Sequence, residues 1–545
     1  MIPLSLKPAN RATNSHIFFI LLIALVGCVL YANSLGGDFQ WDDILLIKKN
    51  LNLRSQDTAL TAFFRPLYTS LRYYRPLQEL SYTLDYSLWK LNPIGYHLTS
   101  IGLHITNAIL LYFFCYLFVG RRIPAFWAAF LFCCHPALTE PVNYISSRSD
   151  LLVAFFTLLV FIFYVKNHIF ISAACFGLAF LSKESALIIP FLLLCYEGSS
   201  RKRYRNLWSF FALTVLFCGI LIVVTPQKIF HPPNISYFLS MPKAFLTYLR
   251  AWLLPFGIYK TWSIAPVQSL RDPFFMFPVL GLVLFFFLVF KYRHISKIAF
   301  FGIIWFFVSL VPFIVIVYPF GLIQLFPFSF AWIYTPAMGL GLVLASCLSS
   351  NEKLNQFRKR ILSICLTVVV LLFSIQTIRI NTLWSGPALA FNQYIFDRLP
   401  PNSKPLFLSK LGMVYAQNNK TSQALDLFKA ALATGGKDND ALADIGTIFL
   451  QEGRLDLALR CYEEALRQNP DLVPVHYNLG LLHLMNQDTE AAIQEFEKTA
   501  ELDPTHADAH YNLTILYARK NDTERASEEY EKTIRLDPQA FREIQ

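Results

Sequence analysis

Charge is what this sequence has least of for its size. Only 15% of its 545 residues are Asp, Glu, Lys or Arg, against 55% hydrophobic and 16% aromatic, too few to cover a water-soluble globular surface of that length. Also missing are a glycine-rich phosphate loop, a nucleophile elbow and a cytosolic nucleotide-sugar domain, which argues against a nucleotide-activated substrate. The ten cysteines show neither a disulfide framework nor a zinc spacing: most lie in or beside apolar runs, Cys133 and Cys134 are adjacent, and Cys461 stands alone in the tail. No small-residue cleavage signature accompanies the first apolar run, residues 17 to 35, so it reads as a retained span preceded by Lys7 and Arg11. The net charge of +11 suggests nucleic acid only until it is located. From Ser403 onward there are 15 basic and 23 acidic residues, so the first 402 residues carry a surplus of 19, mostly near span ends. That distribution orients a polytopic membrane protein and implies no nucleic-acid partner.

Eleven apolar stretches are long enough, or nearly so, to cross about 30 Å of hydrocarbon. They lie at roughly 17 to 35, 96 to 119, 123 to 139, 149 to 165, 168 to 182, 186 to 196, 207 to 225, 273 to 290, 298 to 317, 331 to 348 and 361 to 379. With eleven spans, Arg121, Arg122, Lys166, the cluster Arg201 to Arg205, Lys291, Arg293, Lys297, Lys353 and Arg358 to Arg360 all fall on one side, which the positive-inside rule makes cytoplasmic. The segment 241 to 258 carries Lys243 and Arg250 and reads as a surface or re-entrant helix. The aromatic and basic stretch within residues 36 to 95 predicts one or two helices lying on the membrane.

From Pro405 the sequence repeats every 34 residues, with starts at 405, 439, 473 and 507. Gly412, Gly446, Gly480 and Thr514 share one register, as do Ala424, Ala458, Ala492 and Ala526, and Phe428, Tyr462, Phe496 and Tyr530. Small residues let paired helices approach, large rings fill the space between neighbours, and Pro470, Pro504 and Pro538 stop the second helices. The pattern resembles the tetratricopeptide repeat. The expected fold is all-α: a membrane helical bundle over 1–384, a linker over 385–404 and an α-solenoid over 405–545, whose groove would take a peptide or extended chain unless the array serves only as a spacer.

Four strings carry candidate chemistry: FQWDDILLIKKN, YYRPLQELSYTLDYSLWKLNPIGYHLTSIGLH, HPALTEPVNYISSRSDLL and LSKESALIIPFLLLCYE. Asp42 and Asp43 follow directly on the first span, where carboxylates meet both lipid-borne and soluble reactants. Glu140, Arg148, Asp150, Lys183 and Glu184 sit in or at the rims of spans, where ionisable groups are costly without a task. His97 and His104, seven apart on one helix face, and His135 before a proline read first as interhelical hydrogen-bonding residues and second as supporting site residues.

In this order and spacing the strings resemble the transmembrane and tetratricopeptide-repeat-containing O-mannosyltransferases and their bacterial relatives, of the GT-C glycosyltransferase fold. The resemblance rests on the early acid pair, on Tyr74 to Leu77, on His97 and His104, on His135, Pro136, Thr139 and Glu140 followed by Arg148, Asp150, Leu151 and Leu152, on Lys183 and Glu184, and on Trp384 leading into the repeats. Two departures stand out. Phe330 and Ala331 precede Tyr334, Thr335, Pro336, Ala337, Met338 and Gly339 where the family tends to carry an acidic and basic pair, and the chain is short with few repeats, which favours a bacterial origin.

The resemblance implies transfer of a sugar, mannose in the family, from a polyprenyl-phosphate donor to a protein Ser or Thr hydroxyl on the non-cytoplasmic face, with inversion. Asp42 is then the first choice for the general base and Asp43 the second. Arg75, Arg148 and Lys183 would hold the donor phosphate; Glu140, Asp150 and Glu184 would orient them. No cofactor is required by the pattern, and a divalent cation on Asp42 and Asp150 stays open. The expected setting is a bacterial inner membrane, with the N-terminus cytoplasmic and the repeats external. Two other readings compete: a non-catalytic membrane-anchored repeat scaffold, and a polysaccharide ligase or polymerase.

Overall fold

The computed structural model describes residues 13–48, 50–54, 60–64, 73–197, 204–224, 235–256, 263–264, 267, 269–293, 296–315, 326–327, 329–350, 355–386, 392, 396–397, 408, 411–412, 414–416, 420–433, 439–504, 506–536 and 540. Lys7, Arg11, Arg201 to Arg203, Lys353, most of the expected linker 385–404 and Phe541 to Gln545 lie outside them. Two compact units divide the chain, Met1–Ala388 and Leu389–Gln545.

The first unit is a multi-pass helical bundle. Among the described residues, seven helices are long and apolar enough to cross a membrane: His16–Gly36, Pro93–Val119, Ile145–Val165, Asn206–Val224, Pro273–Tyr292, Phe330–Ser350 and Gln356–Trp384. Shorter apolar helices stand at Arg122–Cys134, Ile169–Ser182 and Lys297–Pro312. The expected span at 186 to 196 is a nine-residue helix, Ile189–Glu197, entered through the 3-10 turn Glu184–Ile188. Local signals explain the boundaries. Asn92 caps Pro93–Val119 by accepting the Ile94 amide, Pro93 occupies the first turn, and Gly120 closes the helix at φ +68°. Asn355 caps Gln356–Trp384 in the same way, through the Arg358 amide. At 29 residues this last helix is about 44 Å long, more than hydrocarbon alone needs, so one end projects beyond it.

Two packing features position the site. A Cβ on Gly339 would lie 2.4 Å from the Gly302 carbonyl oxygen, so the helices containing these residues meet backbone to backbone. The helix Pro76–Trp89 turns polar residues inward, burying Gln78, Glu79, Thr83 and Asp85, and leaves Leu84, Leu88 and Trp89 exposed. An exposed apolar edge over a polar inner face suits an interfacial helix. Residues 65–72, in the same expected stretch, lie outside the described residues. Helix Ile235–Leu253 takes in residues 241–253 of the 241 to 258 segment and is not among those long and apolar enough to span. The described strands are two residues each, Ser263–Ile264 antiparallel to Phe326–Pro327.

The second unit consists of helix pairs at the expected period: Asn439–Gln451 with Leu455–Gln468, Val473–Met485 with Thr489–Leu502, and Ala507–Arg519 with Thr523–Leu536. In the first repeat Thr421–Ala433 is the second helix. The register of small and large residues has a direct cause. A Cβ on Gly446 would come within 2.5 Å of the Tyr462 ring, and one on Gly480 within 2.6 Å of the Phe496 ring. The intrarepeat turn also recurs, with Gly453, Gln487 and Asn521 all left-handed at φ +71°, +63° and +59°. His476 and His510 brace successive repeats: each ring bonds a carboxylate, Glu495 or Glu529, through Nδ1 and a proline carbonyl, Pro470 or Pro504, through Nε2.

Candidate functional site

The residues Gly37 to Asp43 form a tight turn on leaving the first span, and Trp41 within it holds φ +47°, a strained conformation for a bulky residue. The turn sends its two carboxylates in opposite directions. Asp43 is buried; its carboxylate accepts the Gln40 amide at 3.0 Å, the Ser146 amide at 2.7 Å and the Ser146 hydroxyl. Burial pushes the Asp43 carboxyl up to about 7, although the Ser146 and Gln40 bonds oppose the rise. Asp42 is exposed. Its amide donates to the Tyr144 hydroxyl at 3.3 Å. Burial, followed by the charges of Asp42 and Asp43, pushes the Tyr144 phenol well up, so it stays a donor.

Two cations stand at the far end of the stretch that carries Tyr144 and Ser146, against Ser149 and Asp150. Arg75 grips Glu184 with a fork, Nη2 to Oε1 at 2.7 Å and Nε to Oε2 at 3.1 Å, and its Nη1 reaches the Ser149 hydroxyl only at 3.4 Å. Lys183 Nζ lies 2.7 and 2.6 Å from the two Asp150 oxygens. Burial raises the Glu184 carboxyl, but Arg75 outweighs it and holds the group down to about 2. Burial also lowers the Lys183 ammonium, against the pull of Asp150. The four groups form a nearly dry cluster of two ion pairs, with Arg75 and Lys183 side chains 13% and 6% exposed.

Arg148 lies deeper than Arg75 and Lys183. It is fully buried, with Nη1 2.6 Å from Asp85 and 3.2 Å from the Ser81 hydroxyl, Nη2 on the Tyr96 carbonyl at 2.9 Å, and its guanidinium over the Tyr82 ring at 4.9 Å. Its Nη1 and Nη2 are engaged on the Pro76–Trp89 and Pro93–Val119 helices, which ties the loop to the bundle, while its Nε has no hydrogen-bond partner among the described residues. Glu140 accepts the Ser329 hydroxyl at 2.6 Å and the Phe330 amide at 3.2 Å. It thereby caps the turn Phe330–Ile333, the place where the family's acidic and basic pair is missing. Burial pushes its carboxyl up to about 7.

The histidines sit in packing roles. His104 bonds the Tyr334 hydroxyl at 2.8 Å and the Cys133 carbonyl at 3.1 Å. His135 stacks on Trp252 at 4.0 Å and bonds its carbonyl at 2.9 Å. His97 is buried against Gly37, where a Cβ would come within 2.9 Å of Nε2. Among the described residues no group of three or more His, Cys, Asp or Glu is arranged to hold a metal, and both Asp150 oxygens are engaged by Lys183. The structure thus brings the acid pair, Arg75, Asp150, Lys183 and Glu184 around one loop, with Glu140 at its other end. The sequence reading missed Ser146, Tyr144 and Asp85, which lie inside the quoted strings; a partner within a motif carries no spacing signal of its own.

An aromatic corner flanks Asp42. Trp41 meets Tyr144 at 5.4 Å and Trp384 at 5.7 Å, both edge-on, and Tyr144 stacks on Trp384 at 6.0 Å and 25°. Gln40 Nε2 bonds the Trp384 carbonyl at 3.0 Å, and Asn143 bonds Asn381 at 2.7 Å. These contacts clasp the C-terminal end of the last helix to the 37–43 turn and to the loop that carries Asn143 and Tyr144.

Comparison with known proteins agrees with this layout. Residues 86–252 match the profile of Glycosyltransferase family 87, and residues 409–473, 443–507 and 483–545 match tetratricopeptide-repeat profiles. The human protein O-mannosyl-transferase TMTC3 is 25% identical over 446 residues, 69% of this chain and 47% of that protein. Human protein O-mannosyl-transferase TMTC2 is 32% identical over 154 residues, 27% and 18% of the two chains. A protein O-mannosyl-transferase of Caenorhabditis elegans is 27% identical over 219 residues, 37% and 31%. The chain thus joins a segment similar to glycosyltransferase family 87 to segments that match tetratricopeptide repeats, and the relatives named here are protein O-mannosyl-transferases. It spans less than half the length of these curated relatives.

Proposed function

We propose that the chain is a membrane glycosyltransferase that moves a sugar, mannose as in its relatives' names, from a polyprenyl phosphate to a Ser or Thr hydroxyl of a protein on the non-cytoplasmic face. The observation that carries this reading is the gathering of the acid pair, Arg75, Asp150, Lys183 and Glu184 around one loop, although 142 positions separate Asp42 from Glu184. In a single displacement the acceptor oxygen bonds the sugar's anomeric carbon as the bond from that carbon to the phosphate oxygen breaks. Asp42, the exposed carboxylate, takes the acceptor's proton, and the sugar inverts. The lipid phosphate departs with an added negative charge, which Arg75 and Lys183 absorb. Arg75 is the better placed of the two, since its Nη1 is only loosely engaged at 3.4 Å. Asp43 organises the loop through Ser146, and Arg148 fixes the loop to the bundle. The step as written uses only this chain's side chains.

The repeats bind the acceptor protein in this proposal, which requires an odd number of spans between the cytoplasmic N-terminus and the external repeats. Mass spectrometry of membrane and secreted proteins from cells with and without the chain tests it. Loss of hexose from Ser or Thr on specific proteins is the expected outcome. Identical glycosylation in both would leave the repeat-scaffold reading.

A further inference from the structure

We propose that Tyr144 is a positioning residue for Asp42, and that Trp384, at the end of the last helix of the membrane unit, holds the Tyr144 ring in place. The inference rests on the role of Asp42 proposed above. Asp42 stands next to a strained residue, Trp41 at φ +47°, on a turn whose other carboxylate is firmly bound by Gln40 and Ser146. An exposed carboxylate on such a turn samples several rotamers unless something fixes it. The Tyr144 hydroxyl meets that need at the backbone, accepting the Asp42 amide at 3.3 Å, and the Asp42 charge acts on the same phenol. Tyr144 itself lies in a short irregular stretch between two turns, Glu140–Asn143 and Ile145–Ser147, so its own helix does not hold it. Its ring is held by Trp384 on one side and by the edge of Trp41 on another.

The arrangement has a consequence for the whole chain. Trp384 is also bonded through its backbone to Gln40, and Asn381, one turn earlier, to Asn143. The last helix before the repeats thus touches both loops that shape the acid. A small shift of its end would move the Tyr144 ring and, through the hydroxyl, Asp42. Misplacing a catalytic group by about 1 Å costs on the order of 100-fold in rate.

The test uses the full chain in nanodiscs. The donor probe is tritiated mannosyl polyprenyl phosphate, and the acceptor is total membrane protein from cells that lack the chain. Tyr144→Phe keeps the ring stack and deletes the hydroxyl; kcat should fall about 10-fold or more while the donor KM stays within about twofold. Added to Asp42→Asn, the same change should alter the residual rate by less than about twofold, because the hydroxyl acts only through Asp42. A merely structural tyrosine would lower the rate equally in both backgrounds, and that result would overturn the proposal. Normal Tyr144→Phe turnover beside an inactive Asp42→Asn overturns the positioning role alone, whereas an active Asp42→Asn overturns the base assignment beneath it. If Tyr144→Phe cannot be purified, Trp384→Phe asks the same question with a ring retained. A kcat reduced about threefold or more at unchanged KM supports the proposal, and an unchanged kcat refutes it.

Discussion

Replacing Lys183 by Met separates the two jobs this residue is asked to do. In the structure its ammonium lies 2.7 and 2.6 Å from the oxygens of Asp150, and both side chains are about as buried as a core residue, at 6% and 4% exposed. Methionine keeps the length of the apolar stem and removes the charge, leaving Asp150 as an uncompensated buried carboxylate. Breaking a buried pair in this way costs about 3 to 5 kcal/mol. Arg75 remains as a second cation acting on Asp150, so the expected loss lies at the lower end, about 3 kcal/mol. The double variant Lys183→Met with Asp150→Asn removes the orphaned charge and should recover all but about 1 to 2 kcal/mol. Thermal melting of the purified full chain in nanodiscs reads both values. Donor saturation curves on the same samples read the other job. If Lys183 also meets the donor phosphate, the stability-restored double variant still shows a donor KM raised about 10-fold or more. Equal destabilisation of single and double variants would refute the ion-pair account, and a normal donor KM in the double variant would refute the phosphate role.

Asp43→Asn should flatten the pH dependence of stability. The folded carboxyl is pushed from the usual 3.8 up to about 7, so between these values the unfolded chain is ionised while the folded chain keeps its proton. Folding then takes up a proton, and stability falls as pH rises through that window and levels off above it, by up to about 4 kcal/mol. Melting curves of wild type and variant from pH 4 to 8 should converge in slope only above about 7; parallel curves throughout would place the ionisation elsewhere. Gly480→Ala puts a methyl 2.6 Å from the Phe496 ring, which is fully buried, and should destabilise the repeats by about 1 to 3 kcal/mol. Circular-dichroism melting of the full chain checks this, and an unchanged transition would mean the ring has room to move.

The repeats were almost wholly legible in the sequence. Their physics is local and periodic: a glycine at one register and a ring at another meet in the same helix pair, so position in the sequence alone dictates the contact, as Gly446 and Tyr462 show. The spans were legible from hydropathy in place but less so in length, because a nine-residue helix such as Ile189–Glu197 is set by the 3-10 turn before it and by its neighbours. At the site the residue types were visible while their partners were not. Arg148 and Arg75 look alike in the sequence, each an arginine in a motif near a span end. Tertiary packing alone distinguishes them, giving Arg148 to Asp85 and the Tyr82 ring and Arg75 to Glu184. Likewise the adjacent Asp42 and Asp43 are equivalent as letters, and only the strained turn at Trp41 exposes one and buries the other.

The most direct measurement is transfer of tritiated mannose from mannosyl polyprenyl phosphate to membrane protein by the purified wild-type chain and by Asp42→Asn, which keeps volume and removes the base. The account predicts label on Ser or Thr with wild type, and a rate lower by about 100-fold or more with a fully folded Asp42→Asn. Near-normal transfer by that variant, or no transfer by wild type from this class of donor, would contradict it.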